Sequence, residues 1–224
     1  MPVDAENLPR VYIEPFDPGR HERAEFSCGV ARLDNFLRLS ARKQQKDDFT
    51  RVFVAVAEGS DRILGYYALN THAVGINELG RYRPRRAPDR ASLPAVYLSM
   101  IAVDRSQQGR GLGTDLLIDT LLRAYRVSRE VGLKLVILDV IDDGGDAAFR
   151  RRKEFYRRMG FESFSDHPQR MFITIGTIGR IFPEFTRQPR PRYREDGGIV
   201  RPGRGRNRRG SPGARQSRPS ARRN

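Results

Sequence analysis

Six consecutive residues, Gln108-Gly109-Arg110-Gly111-Leu112-Gly113, concentrate the clearest chemistry in the chain. Glycines in a turn that leads into a helix leave backbone N–H groups unscreened, and the partial positive charge at the helix start suits a pyrophosphate. A Walker loop would need Gly-Lys-Ser/Thr, and this turn has no lysine; the dinucleotide fingerprint would need a third glycine where Thr114 stands. A bare structural turn is the other reading of the same six residues. No general base announces itself: Glu58, His72 and Asp139 fall at strand or turn positions that border a cleft only in certain folds. Cys28 is the single cysteine and there are three histidines, so neither an internal disulfide nor a zinc-type cluster is expected. Cys28 itself reads as a small buried residue at a helix start.

The elements that must position this turn follow from periodicity. Val30, Leu33, Phe36, Leu37 and Ala41 line one face of a helix that ends near Lys46-Asp47-Asp48. Residues 52–57 and 63–74 read as two strands joined through Gly59-Ser60-Asp61. Residues 75–94 are Arg/Pro-rich and loop-like, with room for a short helix at 76–79. A strand at 95–103 precedes the glycine turn, and a helix over 114–131 follows it, with Leu117, Leu121, Ala124, Tyr125 and Val131 on one face and Gly132 as its stop. Residues 133–140 are nearly all aliphatic, as in a strand buried on both faces. A helix over 147–159, closed by Gly160-Phe161, a strand at 171–174 and a short helix at 175–182 complete an α/β order around a mixed sheet.

The turn in this strand–loop–helix setting fits Q/R-x-x-G-x-G/A through Gln108, Gly111 and Gly113. That pattern, Ala102-Val103-Asp104 just before it, and Phe155-Tyr156-Arg157-Arg158-Met159-Gly160-Phe161 further on resemble the GNAT acetyltransferases. The resemblance implies a GNAT fold: a mixed central sheet, splayed where acetyl-CoA binds and flanked by helices. It places sheet-like contacts to the pantetheine arm at Ile101, Ala102 and Val103. The pyrophosphate falls to the amides of Gln108, Gly109, Arg110, Gly111, Leu112, Gly113 and Thr114, with a charge-assisted contact from Arg110. Tyr156 matches the family tyrosine near the sulfur and is the candidate proton donor.

Phe26-Ser27-Cys28-Gly29 followed by Leu33-Asp34-Asn35-Phe36-Leu37 resembles the opening of one GNAT branch, as Gly65-Tyr66-Tyr67-Ala68-Leu69 resembles its third strand. That branch includes the toxins of toxin–antitoxin pairs, which acetylate the α-amine of aminoacyl-tRNA and stop translation. The resemblance therefore implies aminoacyl-tRNA as a partner, and with it a ribbon-helix-helix antitoxin and a homodimer as further candidates. An aminoacyl ester's α-amine is less basic than a lysine amine, so the missing general base suits this acceptor. Two departures concern the acceptor side. Ser99-Met100-Ile101 replaces the usual Gly-Arg-Leu, and Asp142-Asp143-Gly144-Gly145-Asp146 followed by Arg150-Arg151-Arg152-Lys153 looks like an insertion. Acetylation of protein or small-molecule amines, and a non-catalytic CoA- or RNA-binding role, remain the competing functions.

Charge is distributed unevenly. Residues 187–224 hold thirteen arginines against Glu195 and Asp196, a net of +11 out of the chain's +15. This stretch is Pro/Gly/Ser-rich with Ile199-Val200 as its one aliphatic pair, so it is expected to be a disordered basic tail after a catalytic domain spanning residues 1–186. Its Arg-Gly interleaving suits phosphate backbones, or nothing more than a solvated tail. No apolar run is long enough for a membrane span and no signal-type segment opens the chain, which points to a soluble cytoplasmic protein without a membrane partner.

Overall fold

The computed structural model describes residues 10–79, 82, 92–186, 192–193 and 199–200. The chain divides into two units, Met1–Gln188 and Pro189–Asn224. The first opens with β1 (Val11–Pro15), then α1 (Ala31–Asn35), a π turn (Phe36–Ser40), α2 (Ala41–Lys46), β2 (Arg51–Ala57) and β3 (Ile63–Gly75). A 3₁₀ turn (Ile76–Leu79) precedes β4 (Ser92–Val103), and another (Arg105–Gln107) precedes α3 (Leu112–Val127). The remainder is β5 (Leu135–Asp139), α4 (Gly145–Arg158), β6 (Glu162–Ser163), β7 (Arg170–Thr174), α5 (Ile175–Ile181) and α6 (Pro183–Thr186). In the second unit Arg192–Tyr193 pairs antiparallel with Ile199–Val200. The expectation of a disordered tail otherwise falls outside the described residues.

The strand order is β1-β2-β3-β4-β5-β7-β6. Every neighbouring pair is antiparallel except β4 and β5, which run parallel. The β4–β5 crossover is made by α3, as a parallel pair requires. The sheet has a core on each face. On one face Leu98, Val136, Leu138, Met171 and Ile173 meet Leu112, Leu116, Leu117 and Leu121 of α3 and Ile178 of α5. On the other, Val52, Val54, Tyr66, Ala68 and Ala102 meet Leu33, Phe36, Leu37 and Ala41 from α1, the π turn and α2. β5 is buried on both faces at Leu135–Leu138, which explains its unbroken aliphatic run.

Several boundaries differ from the sequence reading. α3 stops at Val127, and Val131 is exposed rather than on the core face. Ser128 ends the helix early: its hydroxyl donates to the Tyr125 carbonyl at 2.6 Å, a local bond that competes with helix continuation. β4 begins at Ser92 and runs through Pro94, because there it pairs with β3 alone; β5 joins only from Ala95. β1 and β6 were not legible: β1 is a half-exposed edge strand and β6 has two residues, so neither carries an apolar alternation.

The end of α4 follows the expectation closely. The Gly160 N–H donates to Arg157 and the Phe161 N–H to Tyr156, a Schellman pair. Gly160 has φ +90°, and a Cβ there would lie 3.0 Å from Ile181 Cδ1. Gly160→Ala should therefore cost about 1–2 kcal/mol of stability, measured as the shift in urea-unfolding midpoint; an unshifted midpoint would mean that the turn relaxes without strain.

Candidate acetyl-CoA site

The site begins where β4 and β5 part. Ala95–Leu98 pair in parallel with Leu135–Leu138, and the pairing stops there. At the same point β4 carries a bulge: Leu98 pairs with Leu69 and Met100 with Ala68, leaving Ser99 as the extra residue. The Ser99 hydroxyl is held by Asn70 Oδ1 at 2.7 Å and by the Ala68 carbonyl at 3.3 Å. This serine, a departure from the branch pattern, thus has a role as the pinned residue of the bulge. Beyond it β4 continues to Val103 along β3 with no strand on its other side.

The orientation of the free edge follows from the ladder. The Asp104 N–H donates to Leu64 at 2.8 Å, and the register pairs Tyr66 with Ala102. Hydrogen-bonded pairs alternate along an antiparallel ladder. Ala102 therefore turns its N–H and C=O to β3, while Ile101 and Val103 turn theirs to the gap. Of the three residues expected at the pantetheine arm, Ala102 has its backbone groups turned to β3 and its side chain buried in the cluster that holds Tyr66 and Leu33.

Asp104 then starts the turn. Its buried carboxylate accepts from Ser106 N–H at 3.0 Å, Ser106 Oγ at 2.6 Å and Ser27 N–H at 3.1 Å. Burial opposes its ionisation, but these bonds and Arg62 outweigh that and hold its pKa below the ordinary value. Gln108 is not a free ligand group, since its side-chain amide donates to the Val103 carbonyl at 3.0 Å and to Cys28 at 2.9 Å. Gly109 (φ +76°) and Gly111 (φ +91°) follow, and a Cβ on either would meet no protein atom within 4 Å. Glycine is needed there for the backbone conformation and for the open space beside it. α3 starts at Leu112, with Thr114 and Asp115 donating back to the Gly111 carbonyl. The preceding amides, Gly109 to Gly113, have no intrahelical acceptor. The Leu112 side chain is buried, so only its backbone N–H belongs to the turn, whereas Arg110 is exposed.

The Phe26–Leu37 motif buttresses this turn. Asp34, also buried, accepts from the Cys28 N–H at 2.8 Å and the Ser27 hydroxyl at 3.0 Å. Three bonds then join this segment to the glycine turn: Ser27 N–H to Asp104, Arg105 N–H to the Ser27 carbonyl, and Gln108 to the Cys28 carbonyl. Gly29 lets Arg105 pass closely, its would-be Cβ lying 2.9 Å from Arg105 Nε. Burial and Asp34 push the Cys28 thiol up to about 12, so it is a poor nucleophile, in keeping with a packing role. The sequence reading assigned no task to Asp34 or Asp104; their signal was an acid inside an otherwise apolar motif.

Tyr156 packs edge-on against Phe155 and Phe161, at 5.2 and 5.9 Å between centroids. It joins the same core face as Ile101 and Val103. Burial pushes its phenol up to about 12, with Arg152 nearby working the other way. No hydrogen bond engages its hydroxyl among the described residues, and no buried polar side-chain atom there lacks a partner, so the hydroxyl keeps access to solvent.

On the opposite face a cavity of about 430 Å³ opens at the end of β5, lined by Arg32, Tyr97, Asp139, His167 and Arg170 among others. Asp139 is held by Arg170 at 2.8 and 3.0 Å and by the Tyr97 hydroxyl at 2.9 Å. Arg170 and then Tyr97 keep its pKa low despite burial, so it is a poor base. Of the other two base candidates, His72 stands beside Tyr97 at 5.7 Å, and Glu58 lies at the exposed end of β2. The Asp142–Asp146 segment is a turn in which Gly144 and Gly145 take positive φ and lead into α4. Of the four basic residues after it, Arg152 donates to the Ile141 and Asp143 carbonyls and Lys153 to Pro168, while Arg150 and Arg151 are exposed. Among the described residues no cluster of metal-ligating side chains occurs, and no helix is long and apolar enough to cross a membrane.

A sheet that parts between two parallel strands, with a glycine turn and helix N-terminus beside the gap, defines the GNAT acetyltransferase class. The acetyltransferase (GNAT) domain model matches residues 48–163, and the chain belongs to that family. It is 39% identical over 166 residues to the probable toxin TacT of Sinorhizobium fredii, an alignment covering 74% of this chain and 92% of that one. It is 34% identical over 151 residues to a tRNA-acetylating toxin of Mycobacterium tuberculosis, covering 67% and 84%. The fold also superposes on AtaT complexed with acetyl-methionyl-tRNAfMet, at TM-score 0.68 and 22% identity, over 77% of this chain and 99% of the other. An AtaT mutant bound to acetyl-CoA and the C-terminus of the antitoxin AtaR superposes at TM-score 0.63 and 20% identity, covering 77% and 98%.

The two buried carboxylates make the buttress pH-sensitive. Their folded pKa values lie below the ordinary 3.8, so their stabilisation is complete above that value and is lost as pH falls through the depressed one. Asp104→Asn should lower stability at neutral pH and flatten its fall with acid, followed by chemical denaturation between about pH 3 and pH 7. An acid limb identical to wild type would remove Asp104 from the account.

Proposed function

We propose that this protein transfers the acetyl group of acetyl-CoA to the α-amine of aminoacyl-tRNA and acts as the toxin of a toxin–antitoxin pair. The free edge of β4 beside the glycine turn is the observation that carries the reading. It offers a strand's backbone groups to an amide-bearing arm and a cluster of unpaired amides to a pyrophosphate. The similarity to a tRNA-acetylating toxin supplies the acceptor class. An antitoxin C-terminal segment is the expected partner, by analogy with the AtaT complex. The split sheet fits acetyl-CoA as substrate because Gly109 and Gly111 leave vacant the space that a Cβ would fill.

In this reading Ile101 and the Val103 N–H hold the pantetheine arm, and the amides of Gly109 to Gly113 hold the pyrophosphate, with Arg110 adding charge. Bound acetyl-CoA supplies the acetyl group as a thioester. The acceptor amine enters from the face that carries the Asp139 cavity, opposite α3. Asp139 is held ionised by Arg170 and is too weak a base to deprotonate the amine, so the amine arrives neutral; the low basicity of an aminoacyl ester permits that. Tyr156 donates to the departing sulfur. With its pKa about 12, full proton transfer to a thiolate of ordinary basicity is uphill. Its contribution is therefore a hydrogen bond that strengthens as charge develops on sulfur, while the proton that the nitrogen sheds on becoming an amide passes to the released thiolate or to water.

Tyr156→Phe should lower acetyl transfer roughly 10²-fold or more. Radiolabelled acetyl-CoA with charged tRNA reports the rate, and growth arrest on induced expression should disappear with it. Label in protein or polyamines, with none in tRNA, would sink the acceptor assignment. Because the Tyr156 phenol stays protonated until about 12, it should impose no basic limb on the rate below about pH 10. Gly111→Val should raise KM for acetyl-CoA by about tenfold or more, since it strains the turn and fills the cradle; an unchanged KM would move the pyrophosphate elsewhere.

A further inference from the structure

Arg32 has a position that neither the buttress nor the transfer chemistry uses. It projects from α1, is exposed, and its side chain has no hydrogen bond or ion pair among the described residues. Other arginines are engaged: Arg38 with Asp34, Arg170 with Asp139, Arg62 with Asp104. Arg32 also lines two cavities at once. One is the Asp139 cavity on the acceptor face, about 430 Å³. The other, about 390 Å³, lies between the start of α1 and the turn before α4, and Arg152 and Gly144 form part of its far wall.

We propose that Arg32 seats the 3′-terminal nucleotide of the acceptor, its guanidinium contacting the phosphate, with Arg152 as the second cation across the adjoining cavity. The assignment rests on the aminoacyl-tRNA reading and extends it to the nucleotide. An aminoacyl group is esterified to the terminal ribose, so an α-amine delivered through the first cavity brings a phosphodiester one ribose away. The second cavity is lined by two guanidinia and the backbone-rich segments Gly29–Arg32 and Asp143–Gly144, a wall suited to sugar and phosphate rather than an apolar group. A guanidinium without a carboxylate partner is matched in shape to a phosphate and is less costly to desolvate than an ammonium. Of the acids nearby, Asp139 is neutralised by Arg170, whereas Asp142 accepts only from the neutral Gln169 amide and Asp143 meets Arg152 through its backbone carbonyl. Arg152 is the poorer probe, since it also ties the Ile141 and Asp143 carbonyls.

The test compares kcat/KM for an aminoacyl-tRNA with that for the methyl ester of the same amino acid, over a series of salt concentrations. Arg32→Ala should reduce the preference for tRNA over ester about tenfold and flatten the slope of log kcat/KM against log salt by about one phosphate contact. Arg32→Lys should retain part of the salt slope and lose most of the preference, because an ammonium keeps the charge without the planar fork. A preference and slope equal to wild type in both variants would overturn the assignment. A wild-type protein with no preference for tRNA at all overturns the acceptor reading, and this assignment with it, before any variant is compared.

Discussion

The separation of β4 from β5 is the constraint on which the rest of this molecule depends. A parallel pair normally stays hydrogen-bonded along its length, since unpaired backbone groups inside a sheet are costly. Here the pair ends at Leu98 and Leu138, opposite the bulge at Ser99. The consequence is a strand edge in the middle of the sheet, with the backbone groups of Ile101 and the N–H of Val103 facing the gap, while the Val103 carbonyl is taken by the Gln108 side chain. Tertiary structure sustains the opening from both faces. Leu112 and Leu116 of α3 cover one side, and Leu33 and Phe36 of α1 and the π turn cover the other.

A gap of this kind is useful only if the turn at its mouth has one conformation. Two buried carboxylates supply that. Asp104 organises the turn from within and Asp34 organises the segment that supports it, and three hydrogen bonds link the two. Each carboxylate is buried at a cost that its several N–H and O–H donors repay. Cys28 and Gly29 sit between them for geometric reasons: the thiol is small and shielded, and the glycine leaves room for Arg105. The motif that marks this branch of the family is thus explained as a support for the glycine turn.

The two faces of the gap differ. Tyr156 stands on the α3 and α4 face, where burial keeps its phenol protonated. The Tyr97–Asp139–Arg170 network stands on the other, where mutual hydrogen bonding fixes the cavity wall and removes Asp139 as a base. An enzyme of this design relies on an acceptor amine that is already neutral, which agrees with an aminoacyl ester more readily than with a lysine side chain.

Much of this was legible in the chain. The glycine turn between strand and helix, the aliphatic run of β5 and the Gly160-Phe161 stop each carry their own local signal, because backbone conformation and burial on both faces restrict residue type directly. The Ser128 stop, the two-residue β6 and the half-exposed β1 carry none, and their positions depend on neighbours remote in sequence. The same holds within the site. The family resemblance marked Ile101, Ala102 and Val103 alike, yet the antiparallel register with β3 turns the backbone groups of Ala102 to β3 and those of the other two to the gap. The sequence by itself determined that a glycine turn at a helix start and a phenol on a later helix would exist. Only the tertiary structure decided which backbone groups face the gap, which acids are spent on support and which arginine lines the Asp139 cavity without an ion pair among the described residues, since each depends on pairings between segments dozens of residues apart.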